Sequence, residues 1–256
     1  MSDAEAFKAL ERTGWSERAE SYGLLTGRIT ARLVEPLLDA AGVAGGMEVL
    51  DVGTGPGYAA RGAAERGAVA TGVDIAEQMV ALARSRDGVR FLRADADELP
   101  FPDRSFDALV GNLVVNHLPS PERALREFVR VLRREGAVAL STWDLPARNR
   151  FLGILLDALH ACGVADHPLA GSPDPFRLAA DDEFRRLLLG AGLGEVEIVS
   201  VAVRHQVADA DELWNGLLGG SVRSAGLVMR QPPETRERIR TAAERLAEEH
   251  RVDGGL

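Results

Sequence analysis

Between residues 47 and 142, short apolar runs alternate with stretches whose apolar positions recur at helical spacing. Residues 47–52 form an apolar run bounded by Gly46 and Gly53, and small residues with a helical period follow over 58–66. The same reading predicts strands over 68–73, 89–94, 106–113 and 137–142 and helices over 76–85 and 121–132, the last starting behind Pro121. Regular alternation of this kind predicts an α/β fold with a doubly wound, mostly parallel sheet covered on both faces.

Outside that stretch the rhythm is helical. Leu33, Leu37 and Ala41 share a helical period while Gly14, Gly23 and Gly27 interrupt it, so residues 4–41 read as two or three helices. After Trp143 a helix is expected over 151–161, a proline-punctuated loop over 167–175, a helix over 181–191 and a strand rich in β-branched residues over 196–207. Two helices follow over 209–218 and 233–250. There is no internal repeat. The chain therefore divides into an N-terminal helical cap (1–44), an α/β core (45–145), a lid insertion (146–180), and the remainder of the core with helices over the substrate (181–256).

Composition narrows the function. Of 256 residues 46% are hydrophobic, enough for a sizeable core. Thirty basic against 39 acidic side chains give a net charge of −9, which repels polyphosphate, so no nucleic-acid partner is expected. Cys162 is the only cysteine, which excludes an intramolecular disulfide and a cysteine-rich zinc site and makes a cytoplasmic setting the default. Residues 1–10 lack a signal-peptide pattern and no run reaches membrane-spanning length, so a soluble protein without a membrane partner is expected.

The segment Val49-Leu50-Asp51-Val52-Gly53-Thr54-Gly55-Pro56-Gly57 sets three glycines between a buried strand and a helix N-terminus, where backbone can approach a ligand closely. A phosphate-cradling loop would end in Gly-Lys-Ser/Thr, but Tyr58 follows Gly57. The nicotinamide dinucleotide fingerprint would need a glycine at position 58, which demotes that ligand. Acidic residues stand at successive strand ends: Asp51 in the first strand, Asp74 closing the second, Asp95 just after the third. In a doubly wound sheet these ends border one crevice. Asp74 can accept two ribose hydroxyls, Asp95 an adenine amino group, and the deeper Asp51 orients the loop or acts through water. Three carboxylates would repel a phosphate. S-adenosylmethionine carries a sulfonium and an ammonium and no phosphate, so charge and geometry select the same cofactor.

In sequence order these motifs closely resemble the class I S-adenosylmethionine-dependent methyltransferases, in particular their small-molecule and quinone-methylase group. The resemblance rests on residues 49–57, on Gly72-Val73-Asp74-Ile75 with Met79, on 94–101, on 106–110 with His117-Leu118, and on 127–132, spanning about 48–143. It implies S-adenosylmethionine as methyl donor and S-adenosylhomocysteine as product. The implied cofactor set is Tyr22, Asp51, Gly53, Thr54, Gly55, Gly57, Asp74, Ile75, Met79, Asp95, Ala96 and Asn112. Arg133-Arg134-Glu135-Gly136 stands where the family commonly has Pro-Gly-Gly, which leaves that turn's geometry open. The family also adds a last antiparallel strand after its long C-terminal helix. This sequence ends at residues 253–256 just past that helix, so six strands are expected, with 196–207 at or beside an open edge and no strand over 221–229.

Several residues keep two readings. His117 follows the fourth strand and can serve as a general base, while Asn116-His117-Leu118-Pro119 is also a structural helix-entry turn common to family members of many specificities. Trp15 and Tyr22, seven apart, would share one helical face as packing residues. The resemblance to members whose first helix closes over the cofactor brings Tyr22 to its methionine end. His160, His167 and His205 read as surface or structural residues. No metal site is expected, because metal-dependent catechol methylases need a carboxylate where this chain has Gly111-Asn112. The late apolar segments imply a small, largely apolar substrate, methylated on O, N or C, in specialised metabolism. A homodimer is compatible with all of this. The alternative is a cofactor-binding, methyltransferase-like protein that catalyses a non-methylating reaction such as cyclisation.

Overall fold

The computed structural model describes residues 2–85, 88–164 and 172–252. In chain order its elements are α1 (Asp3–Glu17), α2 (Ala19–Tyr22), α3 (Thr26–Thr30), α4 (Val34–Ala40), β1 (Glu48–Val52), α5 (Tyr58–Glu65), β2 (Val69–Asp74), α6 (Glu77–Arg84), β3 (Arg90–Arg93), β4 (Phe106–Gly111), α7 (Pro121–Val131), β5 (Leu132–Leu140), α8 (Arg150–Ala161), α9 (Asp181–Gly190), α10 (Ala210–Gly219), α11 (Arg223–Met229) and α12 (Pro233–Glu248). The five strands form one sheet in the order β3-β2-β1-β4-β5, with every pairing parallel. This is the Rossmann-like α/β architecture expected from the alternating pattern. β1 lies at the centre, where the strand order reverses, and its C-terminal end opens into the crevice.

Side chains alternate across the sheet because successive residues of a strand point to opposite faces. Val49 and Val110 pack with Leu38 of α4, with Ala59 and Ala63 of α5 and with Val80 of α6 on one side. On the other side Leu50, Val52 and Leu109 meet Leu125 and Phe128 of α7 and Phe184 and Leu188 of α9. A third cluster is built mainly from helices, with Leu25 and Ile29 at the third helix, Leu155 and Leu159 of α8, Leu213 and Leu217 of α10 and Ile239 and Ala243 of α12, joined by Val207 of the segment before α10. Residues 150–161 therefore share their core with the N- and C-terminal helices, while α9 joins the sheet.

Three expectations are corrected. Residues 196–207 form no strand: among the described residues the sheet has five strands rather than six. The segment keeps the alternating burial of an extended chain, with Val196 and Ile198 on the sheet core, Val203 on the helical core, and Val199 and Val201 exposed. Its β-branched density reports a half-buried pleated surface but says nothing about a partner edge in register. The stretch before α4 is likewise broken more often than expected, since α1 ends before Arg18 and Trp15 and Tyr22 lie on different helices. Finally, β5 starts at Leu132 rather than at 137. Leu132 pairs with Phe106 and Ala137 with Ala108, so residues 133–136, in place of the family's turn, bulge out of the ladder. Residues 221–229 hold a helix, not a strand. His167 and most of the 167–175 loop lie outside the described residues.

Candidate functional site

The loop after β1 is shaped by three left-handed glycines, Gly53 at φ +68°, Gly55 at +50° and Gly57 at +85°, a region most side chains avoid. Two of them are packed from outside: a Cβ on Gly53 would stand 2.5 Å from Val114, and one on Gly57 would stand 2.6 Å from Phe91. Gly55 differs, because a Cβ there would meet nothing within 4 Å. It faces the cavity at the sheet's C-terminal end. Its amide donates to Asp74 Oδ2 at 2.9 Å, and the Ala76 amide donates to Asp74 Oδ1 at 2.9 Å. Asp74 is thus held at the mouth by backbone while each oxygen keeps a further lone pair. Burial pushes its carboxyl above the usual range, against those hydrogen bonds.

Asp51 lies behind the loop and does not line the cavity. It is 1% exposed, and its Oδ2 accepts from the Thr54 hydroxyl at 2.6 Å and the Ala60 amide at 3.0 Å. Its Oδ1 is buried without a hydrogen bond. Burial pushes this carboxyl up to about 6. Thr54 and Gly57 likewise shape the loop from behind. The other cofactor-set residues, Tyr22, Gly53, Gly55, Asp74, Ile75, Met79, Asp95, Ala96 and Asn112, all border one cavity, as does His117.

Asn112 follows β4 and is bonded at both ends: Nδ2 donates to the Thr30 carbonyl at 3.0 Å and Oδ1 accepts from Ser141 Oγ at 2.7 Å. Tyr22 shares a hydrogen bond of 2.9 Å with Thr30 Oγ1 and stands edge-on to Trp15 with ring centroids 5.8 Å apart. Burial pushes its phenol up to about 12, so it remains neutral. Beyond the polar end, Leu113, Val114, Leu118, Trp143, Phe151 and Phe176 give the cavity an apolar wall.

The first helix contributes residues that sequence reasoning missed. Lys8 Nζ donates to Asp95 Oδ2 and to Asp97 Oδ2, both at 2.8 Å. One turn on, Glu11 is 3% exposed and its Oε2 accepts from Trp15 Nε1 at 2.8 Å and pairs with His117 Nδ1 at 3.0 Å. Arg223, at the start of α11, places its Nε 3.4 Å from Glu11 Oε1. Burial raises the Glu11 carboxyl, but His117, Arg223 and the Trp15 indole outweigh it and hold it below the usual range. Lys8, Glu11 and Arg223 belong to no local motif. Their only sequence signal is the three-residue spacing that sets Lys8 and Glu11 on one face of a helix. His160 is exposed and His205 half-buried, both away from this cavity. Among the described residues no group of three or more His, Cys, Asp or Glu side chains could hold a metal, and no helix is long and apolar enough to cross a membrane.

The residues bordering the cavity are of the kind that suits S-adenosylmethionine: an open glycine, Gly55, faces it and the Asp74 and Asp95 carboxylates border it. Such an acceptor set suits a cationic nucleoside better than a phosphate.

Residues 50–140 match a family described as a methyltransferase domain. An uncharacterized methyltransferase of Mycobacterium sp. (strain JLS) is 40% identical over 144 residues, covering 54% of this chain and 57% of the relative. The demethylmenaquinone methyltransferase of Tropheryma whipplei (strain Twist) is 36% identical over 111 residues, covering 42% of this chain and 46% of that protein. The chain thus spans about half the length of the curated relatives it matches. Its fold is shared with the [4+2]-cyclase SpnF, at a TM-score of 0.53 and 21% identity over 85% of this chain and 75% of that one.

Proposed function

We propose that this chain, whose residues 50–140 match a methyltransferase domain, is a class I S-adenosylmethionine-dependent methyltransferase that methylates an O, N or C nucleophile of a small, largely apolar molecule in the cytoplasm, as part of specialised metabolism. The observation that carries this reading is the pairing of Gly55, open toward the cavity, with the Asp74 carboxylate fixed by the Gly55 amide. The relative that acts on demethylmenaquinone, a largely apolar molecule, supports the substrate class.

When bound, the cofactor supplies an electrophilic methyl on a sulfonium sulfur, so little acid or base chemistry is obligatory. The protein's task is alignment and exclusion of water. Asp74 accepts the ribose hydroxyls with the lone pairs its backbone bonds leave free. Asp95 accepts the adenine amino group, with Ile75, Met79 and Ala96 around it. Gly53 and Gly55 present backbone to the methionine portion, while Thr54 and Gly57 shape the loop from behind and Asp51 anchors it through Thr54 and Ala60. Tyr22 and Asn112 close the same end. The apolar wall, from Leu113 to Phe176, receives the acceptor molecule.

Calorimetry should show saturable binding of S-adenosylmethionine and S-adenosylhomocysteine with micromolar affinity, and no heat with either sinks the reading. Cofactor carrying a deuterated methyl should pass that mass to the product, with turnover insensitive to EDTA. Since the fold also serves a cyclase, a product formed without the label, and equally with S-adenosylhomocysteine, assigns the non-methylating alternative instead.

A further inference from the structure

Three segments far apart in the chain meet at the wall of the cavity: Glu11 and Trp15 of α1, His117 after β4, and Arg223 of α11. Glu11 is a carboxylate that can only accept, and its Oε2 stands 3.0 Å from His117 Nδ1. A hydrogen bond between them therefore requires the proton on Nδ1, which in a neutral imidazole leaves Nε2 bare. No described residue hydrogen-bonds Nε2, and His117 borders the cavity. The ring is also held sideways, since Trp15 meets it edge-on with centroids 5.1 Å apart while donating its own N–H to the same Glu11 oxygen. Arg223 braces the other side. Its Nη2 donates to the carbonyl of Asn116, the residue before His117, at 2.9 Å, and its Nη1 to the carbonyl of Pro173 at 3.0 Å. The charged groups facing His117 are thus Glu11 from the first helix, Arg223 from α11 behind Glu11, and Asp74 from the end of β2.

A helix-entry turn alone has no need of a buried carboxylate. Placing Glu11 in the interior removes water from a charge, and the structure offsets that cost with an indole, a guanidinium and the imidazole. The arrangement has the form of a base oriented by a third group.

We propose that Glu11 is a positioning residue that locks His117 as its Nδ1–H tautomer, so that Nε2 takes the proton of a hydroxyl-bearing substrate. This deepens, and rests on, the reading that a methyl acceptor occupies the apolar end of the cavity, and it selects oxygen as the methylated atom. The O–H bond breaks with its proton passing to Nε2 and its electron pair remaining on oxygen, which thereby becomes the nucleophile. The imidazolium so formed is balanced by Glu11, and its proton leaves to solvent once the site opens. Arg223 keeps Glu11 ionised for that task.

The test starts with the full chain labelled with 15N-histidine, its His117 signals identified by their loss in His117→Gln. In the neutral range the wild-type ring should show a protonated Nδ1 and a bare Nε2. A protonated Nε2 overturns the proposal without any variant or cofactor. Glu11→Leu removes the acceptor and should release the ring to the Nε2–H tautomer. Should that variant fail to fold, Glu11→Met, which likewise offers no oxygen acceptor, serves in its place. With a panel of simple phenols as acceptors, Glu11→Gln should lose about a hundredfold in turnover, within the range of general base catalysis, while its affinity for S-adenosylhomocysteine stays within about twofold and Glu11→Asp restores part of the rate. Wild-type turnover in Glu11→Gln, or a wild-type tautomer in Glu11→Leu, overturns it. Failure of the wild type to bind S-adenosylhomocysteine would instead overturn the methyltransferase reading, because the tautomer is read in the free protein.

Discussion

Two regions build one cavity by different means. The sheet region, β1 to β5, contributes residues that lie within a few positions of a strand end: the glycine loop, Asp74, Asp95 and Asn112. The surrounding helices contribute Lys8, Glu11 and Arg223, paired with Asp95, His117 and Glu11 across 87 or more residues of chain. The family match covers 50–140, within the first region. The contrast teaches that cofactor recognition here is a property of strand ends, which topology delivers automatically, whereas the substrate end depends on how separate helices dock. Local motifs inform on the first and are silent on the second.

The largest effect should follow from breaking the sheet region itself. Phe128 is fully buried between α7 and the sheet, so Phe128→Ala should lower unfolding free energy by about 3 to 5 kcal/mol, read as a reduced denaturant midpoint. A loss below about 1 kcal/mol would mean that the helices rather than this layer dominate stability. Next comes Asp74→Ala, which should weaken S-adenosylmethionine binding by about 1.5 to 3 kcal/mol, the scale of hydrogen bonds to a charged group. Unchanged affinity in a folded variant would place the ribose elsewhere.

A pH titration sharpens the same half. In the free protein burial pushes Asp51 up to about 6, and Asp74 is raised as well. A cationic ligand favours the ionised forms, so binding expels a proton wherever these groups are still protonated. Affinity should then hold above pH 7 and fall about tenfold by pH 5, as linkage through one group of that pKa requires. Calorimetry in two buffers of different ionisation enthalpy reads the released proton directly, and Asp51→Asn should flatten the profile. The smallest effect belongs to the helical half: Lys8→Met should cost no more than about 1 kcal/mol, as partly exposed ion pairs do. A larger loss, measured by thermal unfolding, would show that the first helix is held mainly by charge.

The legibility of the sequence follows this division. Strand, glycine turn and helix over 47–66 are readable because buried parallel strands are continuous apolar runs and the turn needs glycine at φ values other residues avoid. Asp74 and Asp95 are readable because parallel topology puts strand ends together. Residues 196–207 mislead for a physical reason, since alternating burial arises equally from pairing in a ladder and from lying across two cores. Trp15 and Tyr22 share a face in sequence yet touch across a break at Arg18, so the contact is real while the single helix is not. His117 is legible as a residue near the chemistry, but its orientation is not, because that depends on Glu11 more than a hundred positions earlier.

The paired charges of α1 carry one more consequence. Lys8 and Glu11 sit three residues apart, so their positions along the helix axis differ by about 4.5 Å. Among the described residues Lys8 pairs with two carboxylates, Asp95 and Asp97, while Glu11 meets His117 and the cationic Arg223. Sliding α1 forward by that distance would bring the ammonium toward a guanidinium, and sliding it back would bring the carboxylate toward two others. Ion pairs add little to how firmly a helix adheres, but opposite signs on adjacent turns can dictate where along its own length it comes to rest. The first helix is in this sense a key cut with two unlike teeth, and it seats over the cavity at a single depth.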